Sequence, residues 1–262
     1  MDERAGPRRI GAAVIGLAVV LAACGGGDNR DSGGDDPSDR VAGTPTTAAE
    51  TAEEVAPPAG RTWAATATSA EVPVYTEPEA PEPVHRLANP NENGAPLVFL
   101  VDGTNVSGDW LPVHLPVRPN GSKGWIRAGH VTLAENDYRI TIELGAHRLR
   151  LTKAGQLVVE APVGVGTADT PTPGGIYYIK ELLQPPDPNG AYGPYAYGLS
   201  GFSNNPELAD FNGGTGVIGI HGTNDAATVG HDVSHGCIRL TNDVITQLAA
   251  ILPLGTPVDI RA

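Results

Sequence analysis

From Tyr138 to Leu144 the apolar side chains fall on every even position, with polar or charged ones between them. That period of two is the mark of a strand with one buried and one wet face. Further strand signals follow at Arg148 to Leu151, Leu157 to Val163, Gly175 to Ile179 and Val217 to Ile220. One helical stripe stands out, Ile245, Leu248, Ala249 and Leu252, with Asn242 as the expected N-cap and Asp243 complementing the helix dipole. Pro253 and Gly255 stop it, and Pro257 to Ile260 reads as a closing strand. Upstream, between Trp63 and Ala134, short β-prone runs alternate with Pro, Gly and Asn turns: Ala64 to Thr68, Val72 to Tyr75, Leu97 to Val101, Trp110 to Leu115, Gly124 to Arg127 and Val131 to Leu133. The pattern predicts a mainly β protein: a small barrel over residues 62–135, then a β-sandwich with one short helix over residues 136–262. Trp110 and Trp125 are expected in the core of the barrel, since large aromatics dominate small cores.

The first sixty or so residues follow a different rule. Arg4, Arg8 and Arg9 precede an apolar run from Ile10 to Leu21, the length of a signal-peptide core and too short to span a bilayer. Small residues then lead directly into Cys24, a pattern that resembles the bacterial lipobox, in which the cysteine is lipidated and becomes the first residue. Residues 1–24 are therefore expected to be a lipoprotein signal peptide, the chain being exported and anchored by lipid to the outer face of the cell membrane. From Gly25 to Arg61 almost no large apolar side chain is present, so the stretch cannot offset its ordering entropy. It reads as a tether with a reach of about 30 Å.

Composition narrows the chemistry. With 17 basic against 30 acidic residues, no basic surface is available for nucleic acid. Of two cysteines, Cys24 and Cys237, lipidation of the first leaves Cys237 without an intrachain partner. An exported protein that keeps a free thiol runs an oxidative risk, which points to a working thiol.

Cys237 sits in the densest chemistry of the chain. Between His221 and Cys237, seventeen positions hold three histidines and that thiol. A thiol of ordinary pKa is only a few per cent thiolate at neutral pH, so a nucleophilic cysteine needs a base or cation beside it. His221, at the end of the predicted strand from Val217, is the expected base, with a backbone carbonyl such as that of Gly222 to orient its ring. Gly236 permits a tight turn before the thiol, and amides from His235 to Cys237 can face an oxyanion. A zinc site built from His221, His231, His235 and Cys237 is the rival. It is disfavoured because Asp232 stands where the zinc-protease motif needs Glu, and because Gly230 and Gly236 bracket too few residues for a helix. No metal and no cofactor are expected. His85, His114, His130 and His147 read as solvated or structural.

His221, a 12-residue spacer, then Ser234-His235-Gly236-Cys237 and Arg239 resembles the active-site signature of the L,D-transpeptidases, the YkuD-type domain. Gly164 to Gly166 with Thr170-Pro171-Thr172-Pro173-Gly174, and Gly255-Thr256-Pro257-Val258, look like flanking motifs of that family, so the resemblance spans Tyr138 to Arg261. Arg239 departs from members that carry Asn there. The resemblance implies a Cys237 nucleophile, a His221 base, and Gly222, Ser234, His235, Gly236 and Arg239 around the substrate or oxyanion. It implies attack on the stem peptides of peptidoglycan at the carbonyl joining meso-diaminopimelate to D-Ala, then 3→3 cross-linking through a thioester, and acylation by carbapenems. Water as acceptor would make the chain an L,D-carboxypeptidase. The Pro- and Tyr-rich stretch Gln184 to Phe202, with Tyr192, Tyr195 and Tyr197, falls where the family places a lid. Asp109 to Val113 and Gly124 to Arg127 resemble bacterial SH3-like domains, which leaves a third alternative, a non-catalytic wall-binding lipoprotein. A monomer and a dimer agree equally with the sequence.

Overall fold

The computed structural model describes residues 61–103, 106–205 and 216–262. The basic start, the apolar run, Cys24 and the tether up to residue 60 lie outside the described residues. The fold is mainly β, with one α-helix among the described residues.

Among the described residues, seven strands precede Tyr138: β1 (Thr62–Ala67), β2 (Glu71–Val74), β3 (His85–Ala88), β4 (Val98–Val101), β5 (Trp110–His114), β6 (Lys123–Arg127) and β7 (Val131–Asn136). Five form an antiparallel sheet in the order β6-β5-β4-β1-β7, and β2 pairs with β3. Phe99, Leu111, Val113 and Ile126 are fully buried in its core. Trp110 and Trp125 are not in that core. Both are only half-buried, because they alternate in register with Leu111 and Ile126 and so take the opposite, outward face. There Trp110 donates from Nε1 to Glu79, meets Tyr75 edge to face and lies under the Arg127 guanidinium.

The remaining strands are β8 (Tyr138–Glu143), β9 (Arg148–Lys153), β10 (Gln156–Pro162), β11 (Val165–Gly166), β12 (Gly175–Leu183), β13 (Ala196–Phe202), β14 (Val217–His221), β15 (Asp232–Ser234), β16 (Ile238–Arg239) and β17 (Pro257–Arg261), with α1 (Asn242–Ala249) before the last. Eight of them run in one sheet, β10-β9-β8-β17-β12-β13-β14-β16. β12 carries the continuity: Gly175–Tyr178 pair with β17, and the following residues pair with β13. The period-two pattern read from β8 holds, since Ile140 and Ile142 are fully buried. In α1, Ile245 and Leu248 are fully buried against the sheet. Burial of each contributes roughly 1.5 to 3 kcal/mol.

Two expectations change. Thr241, not Asn242, is the N-cap of α1, and Asn242 instead accepts the Thr223 amide through Oδ1. The side chain suited to capping is taken by the turn that follows β14. The predicted lid shortens as well, because Ala196–Phe202 is β13 in the middle of the sheet. Tyr197 is 1% exposed and donates its hydroxyl to the Leu248 carbonyl at 2.9 Å, tying sheet to helix.

The two β modules are hydrogen-bonded to each other. Asn136 donates to Thr256 Oγ1 in a buried contact, Arg118 donates to the Ser203 carbonyl, and Asn120 bonds both the amide and the carbonyl of Phe202. The Tyr197→Phe variant removes one donor from the Leu248 carbonyl, which keeps the Ile251 and Leu252 amides. It is expected to lower unfolding free energy by about 1 kcal/mol, read as a lower urea midpoint with unchanged m.

Candidate active site

The register of a parallel pair assembles the site. Ile220 of β14 lies opposite Ile238 of β16, and His221 opposite Arg239. Ile218, Ile220 and Ile238 point into the core and are essentially unexposed. Alternation then sends Gly219 and His221 of β14, together with Cys237 and Arg239, to the other face. That face opens on a pocket of about 500 Å³, lined by His221, Ser234, His235, Cys237 and Arg239 among others. Gly222 and Gly236 shape the backbone beside it and do not line it.

The turn into Cys237 is held tightly. Gly236 has φ +112, a left-handed conformation in which a side chain is strained. Ser234, 2% exposed, donates from Oγ to the Cys237 carbonyl at 2.6 Å and accepts the Gly236 amide at 3.1 Å. The Gly236 amide is thus engaged within the loop. Ser234 closes the loop, a role more specific than the substrate contact suggested by its place in the motif. Behind it the Thr-Pro-Thr-Pro-Gly turn acts as a brace: Thr170 Oγ1 and the Thr167 amide both donate to the Ser234 carbonyl, and Thr172 Oγ1 accepts the Gly166 amide. A Cβ on Gly166 would lie 2.3 Å from the Thr170 carbonyl oxygen, so only glycine fits there. Asp232–Ser234 is extended and paired with β11, so His231 and His235 do not share a helix face as the zinc-protease motif requires. His147, expected to be structural or solvated, contacts Asp232 at 2.9 Å on the outside of this loop.

His221 is 5% exposed and its Nδ1 lies 2.6 Å from the Gly222 carbonyl oxygen. A carbonyl can only accept, so Nδ1 carries the proton and Nε2 keeps its lone pair. Burial pushes the His221 pKa down to about 4, the Gly222 hydrogen bond opposing and the Arg239 charge assisting. Burial raises the Cys237 thiol, against a backbone hydrogen bond from Gly219 and the Arg239 charge. At neutral pH the resting pair is therefore thiol and neutral imidazole. Such a pair has the chemistry for general-base proton transfer without a standing ion pair. Arg239 Nε is buried with no hydrogen-bond partner, a cationic donor at the pocket wall.

Several contributors carry no signal in the sequence. Gly219 lies level with Cys237 across the parallel register, and a Cβ there would lie 2.7 Å from the Tyr197 carbonyl oxygen, so glycine is what lets the neighbouring strand close in. Of the three tyrosines in the predicted lid, Tyr192 is 54% exposed, lines the pocket and stacks its ring centroid 4.9 Å from that of His221. Tyr195 packs against the core and Tyr197 is buried in it. Asn242 was legible only as a helix cap, yet it fixes the backbone just after His221.

Residues 137–260 match the family model of the YkuD-type L,D-transpeptidase catalytic domain, just under half of the chain. Two proteins named as L,D-transpeptidases of the YkuD kind are similar to it. The one from Bacillus licheniformis is 37% identical over 123 residues, 47% of this chain and 65% of its own length. The one from Bacillus subtilis is 36% identical over 124 residues, 47% of this chain and 66% of its own length. The chain thus spans about two thirds of the curated relatives it matches. Among solved structures, an L,D-transpeptidase from Mycobacterium smegmatis aligns over 73% of this chain and 99% of its own, at 16% identity and a TM-score of 0.40. The sequence matches support a YkuD-type L,D-transpeptidase catalytic domain in residues 137–260, and an enzyme of that type.

The depressed pKa of His221 has a measurable cost. Below its ordinary value of 6.5 the unfolded chain takes up a proton that the folded one refuses until about pH 4, so stability falls as pH falls through that window. Between about pH 7 and pH 4.5 this amounts to roughly 2 to 3 kcal/mol. His114, also lowered by burial, acts in the same direction and is common to both chains compared. Urea unfolding of the His221→Gln variant is expected to lack this increment of acid sensitivity; equal losses in both proteins would contradict the assignment.

Proposed function

We propose that the chain is a cell-envelope L,D-transpeptidase that forms 3→3 peptidoglycan cross-links through a Cys237 thioester. The observation that carries the reading is the tautomer of His221: its Nδ1 proton is committed to the Gly222 carbonyl, and Nε2 is left basic in the pocket that Cys237 also lines. As Cys237 Sγ attacks the carbonyl between meso-diaminopimelate and the terminal D-Ala of a donor stem, Nε2 takes the thiol proton. The oxyanion faces the loop around Cys237, where the amides not bonded to Ser234 can donate. Imidazolium in this site is a strong acid, because burial resists its charge, and it hands the proton to the departing D-Ala amine. The C–N bond breaks and the thioester remains. An amine of a neighbouring stem then attacks, His221 again moving the proton, and the thiol is restored.

The Arg239 guanidinium at the pocket wall suits a substrate carboxylate, which Arg binds with charge-assisted hydrogen bonds. Tyr192, exposed beside His221, is positioned to cover the thioester and limit water. Water reaching the thioester would give L,D-carboxypeptidase activity by the same steps. The non-catalytic alternative fits less well, since a buried, oriented histidine is not needed to bind the wall. We extend the proposal to the rest of the chain: a lipid on Cys24, a tether, an SH3-like N-terminal module facing the wall, and acylation of Cys237 by carbapenems.

Mass spectrometry of tetrapeptide muropeptides with and without an amine acceptor is the direct test. The native chain should release D-Ala and form dimers, Cys237→Ala should do neither, and His221→Gln should lose about 10² to 10⁴ in kcat/KM. Dimers formed by Cys237→Ala would refute the mechanism. Labelling with radioactive palmitate should mark the native protein and leave Cys24→Ala unmarked; an unmarked native protein would remove the anchor from this reading.

A further inference from the structure

The pocket is not built by the catalytic segment alone. Glu92 and Asn93, from the loop between β3 and β4 of the N-terminal module, line it together with Glu181 of β12. The registers show why these groups face the sulfur. Glu181 pairs with Gly198, Gly198 with Gly219, and Gly219 lies level with Cys237. All four positions line the pocket. A row of backbones thus crosses the sheet from carboxylate to thiol, with the Glu181 side chain folded over Gly198, where a Cβ would lie 2.4 Å from Oε1. Three strand spacings make it about 14 Å between backbones. That is the length of about four extended residues.

The far end of this row is rigid and carries excess negative charge. Asn91 and Asn93 both donate from Nδ2 to Glu181 Oε2, at 2.9 and 3.0 Å. Asn91 Oδ1 in turn accepts the amides of Asn93 and Ala95, so the loop is fixed internally. Lys180 lies 3.1 Å from Glu92 Oε1 and 3.4 Å from Glu181 Oε1. One ammonium therefore serves two carboxylates. The Glu92 side chain is 60% exposed, against 3% for Glu181. Its own backbone amide, then Lys180, hold its carboxyl below the ordinary range, so it is ionised at neutral pH.

We infer that the Asn91–Asn93 loop of the N-terminal module is a specificity-determining wall of the substrate groove, where Glu92 receives an ammonium group of a stem peptide lying in the pocket between Cys237 and this loop. The inference rests on the transpeptidase reading above. The groove then has opposite charges at its two ends: Arg239 beside the sulfur attracts a carboxylate, and Glu92 across the sheet attracts an amine. A zwitterionic stem fits that polarity in one direction only. The ammonium belongs either to the donor's third residue or to the acceptor amine, and the two sources separate kinetically. Asn91 and Asn93 are positioning residues, acting through Glu181.

The test uses the full chain and the Glu92→Gln variant, which keeps the shape and removes the charge of an exposed side chain. D-Ala release is measured with a tetrapeptide donor whose side-chain amine is free or acetylated, and aminolysis is measured over a range of acceptor. For a half-exposed ion pair, a rise in KM of about fivefold is expected, with kcat within about twofold. If the donor carries the recognised amine, the rise appears in donor KM and vanishes with the acetylated donor. If the acceptor carries it, the rise appears in acceptor KM alone. Unchanged KM in both arms, with an active native chain, overturns the inference and leaves the transpeptidase reading standing. A native chain that releases no D-Ala overturns both.

Discussion

Everything at the site depends on the parallel pairing of β14 with β16. Two residues of register, Ile220 with Ile238 and His221 with Arg239, decide which side chains meet in the pocket. The pairing is locked by burial on its other face, where Ile218, Ile220 and Ile238 sit in the main core. A slip of one residue would drive Arg239 into that core and lift an isoleucine into the pocket. The hydrophobic core and the chemistry are therefore two faces of one strand pair.

Around that pair the protein uses backbone groups to set charge. The His221 ring is oriented by the Gly222 carbonyl, so no carboxylate is needed in the third position to hold it. Burial then makes both members of the pair neutral, His221 through a lowered pKa and Cys237 through a raised one. The Ser234 hydroxyl, bonded to both ends of the tight turn, keeps the sulfur's backbone in place. The threonine-rich turn braces Ser234 from behind. The N-terminal module grips the same sheet, at Thr256, at Phe202 and Ser203, and at Glu181. It thereby becomes part of the pocket's frame.

The sequence by itself determined the mainly β character, the β8 pattern, the helix near the C-terminus and the cluster that holds His221 and Cys237. These rest on local periodicity, on composition and on a motif short enough to be read along the chain. Only the tertiary structure decided the rest. Trp110 and Trp125 turned outward because a strand's face is set by its partners. The Asn242 side chain, at the start of α1, serves the turn after His221 and not the helix end, since a side-chain acceptor serves whichever amide the fold brings nearest. Tyr197 went to the core and Tyr192 to the pocket, although both stand in one Pro- and Tyr-rich stretch. Glu92, Glu181, Gly198 and Gly219 are scattered over more than a hundred positions; strand order joins the last three, and the contacts of the Asn91–Asn93 loop with Glu181 and Lys180 bring in Glu92. Spacing along a chain specifies what is local, whereas sheet register is a property of several strands settling together.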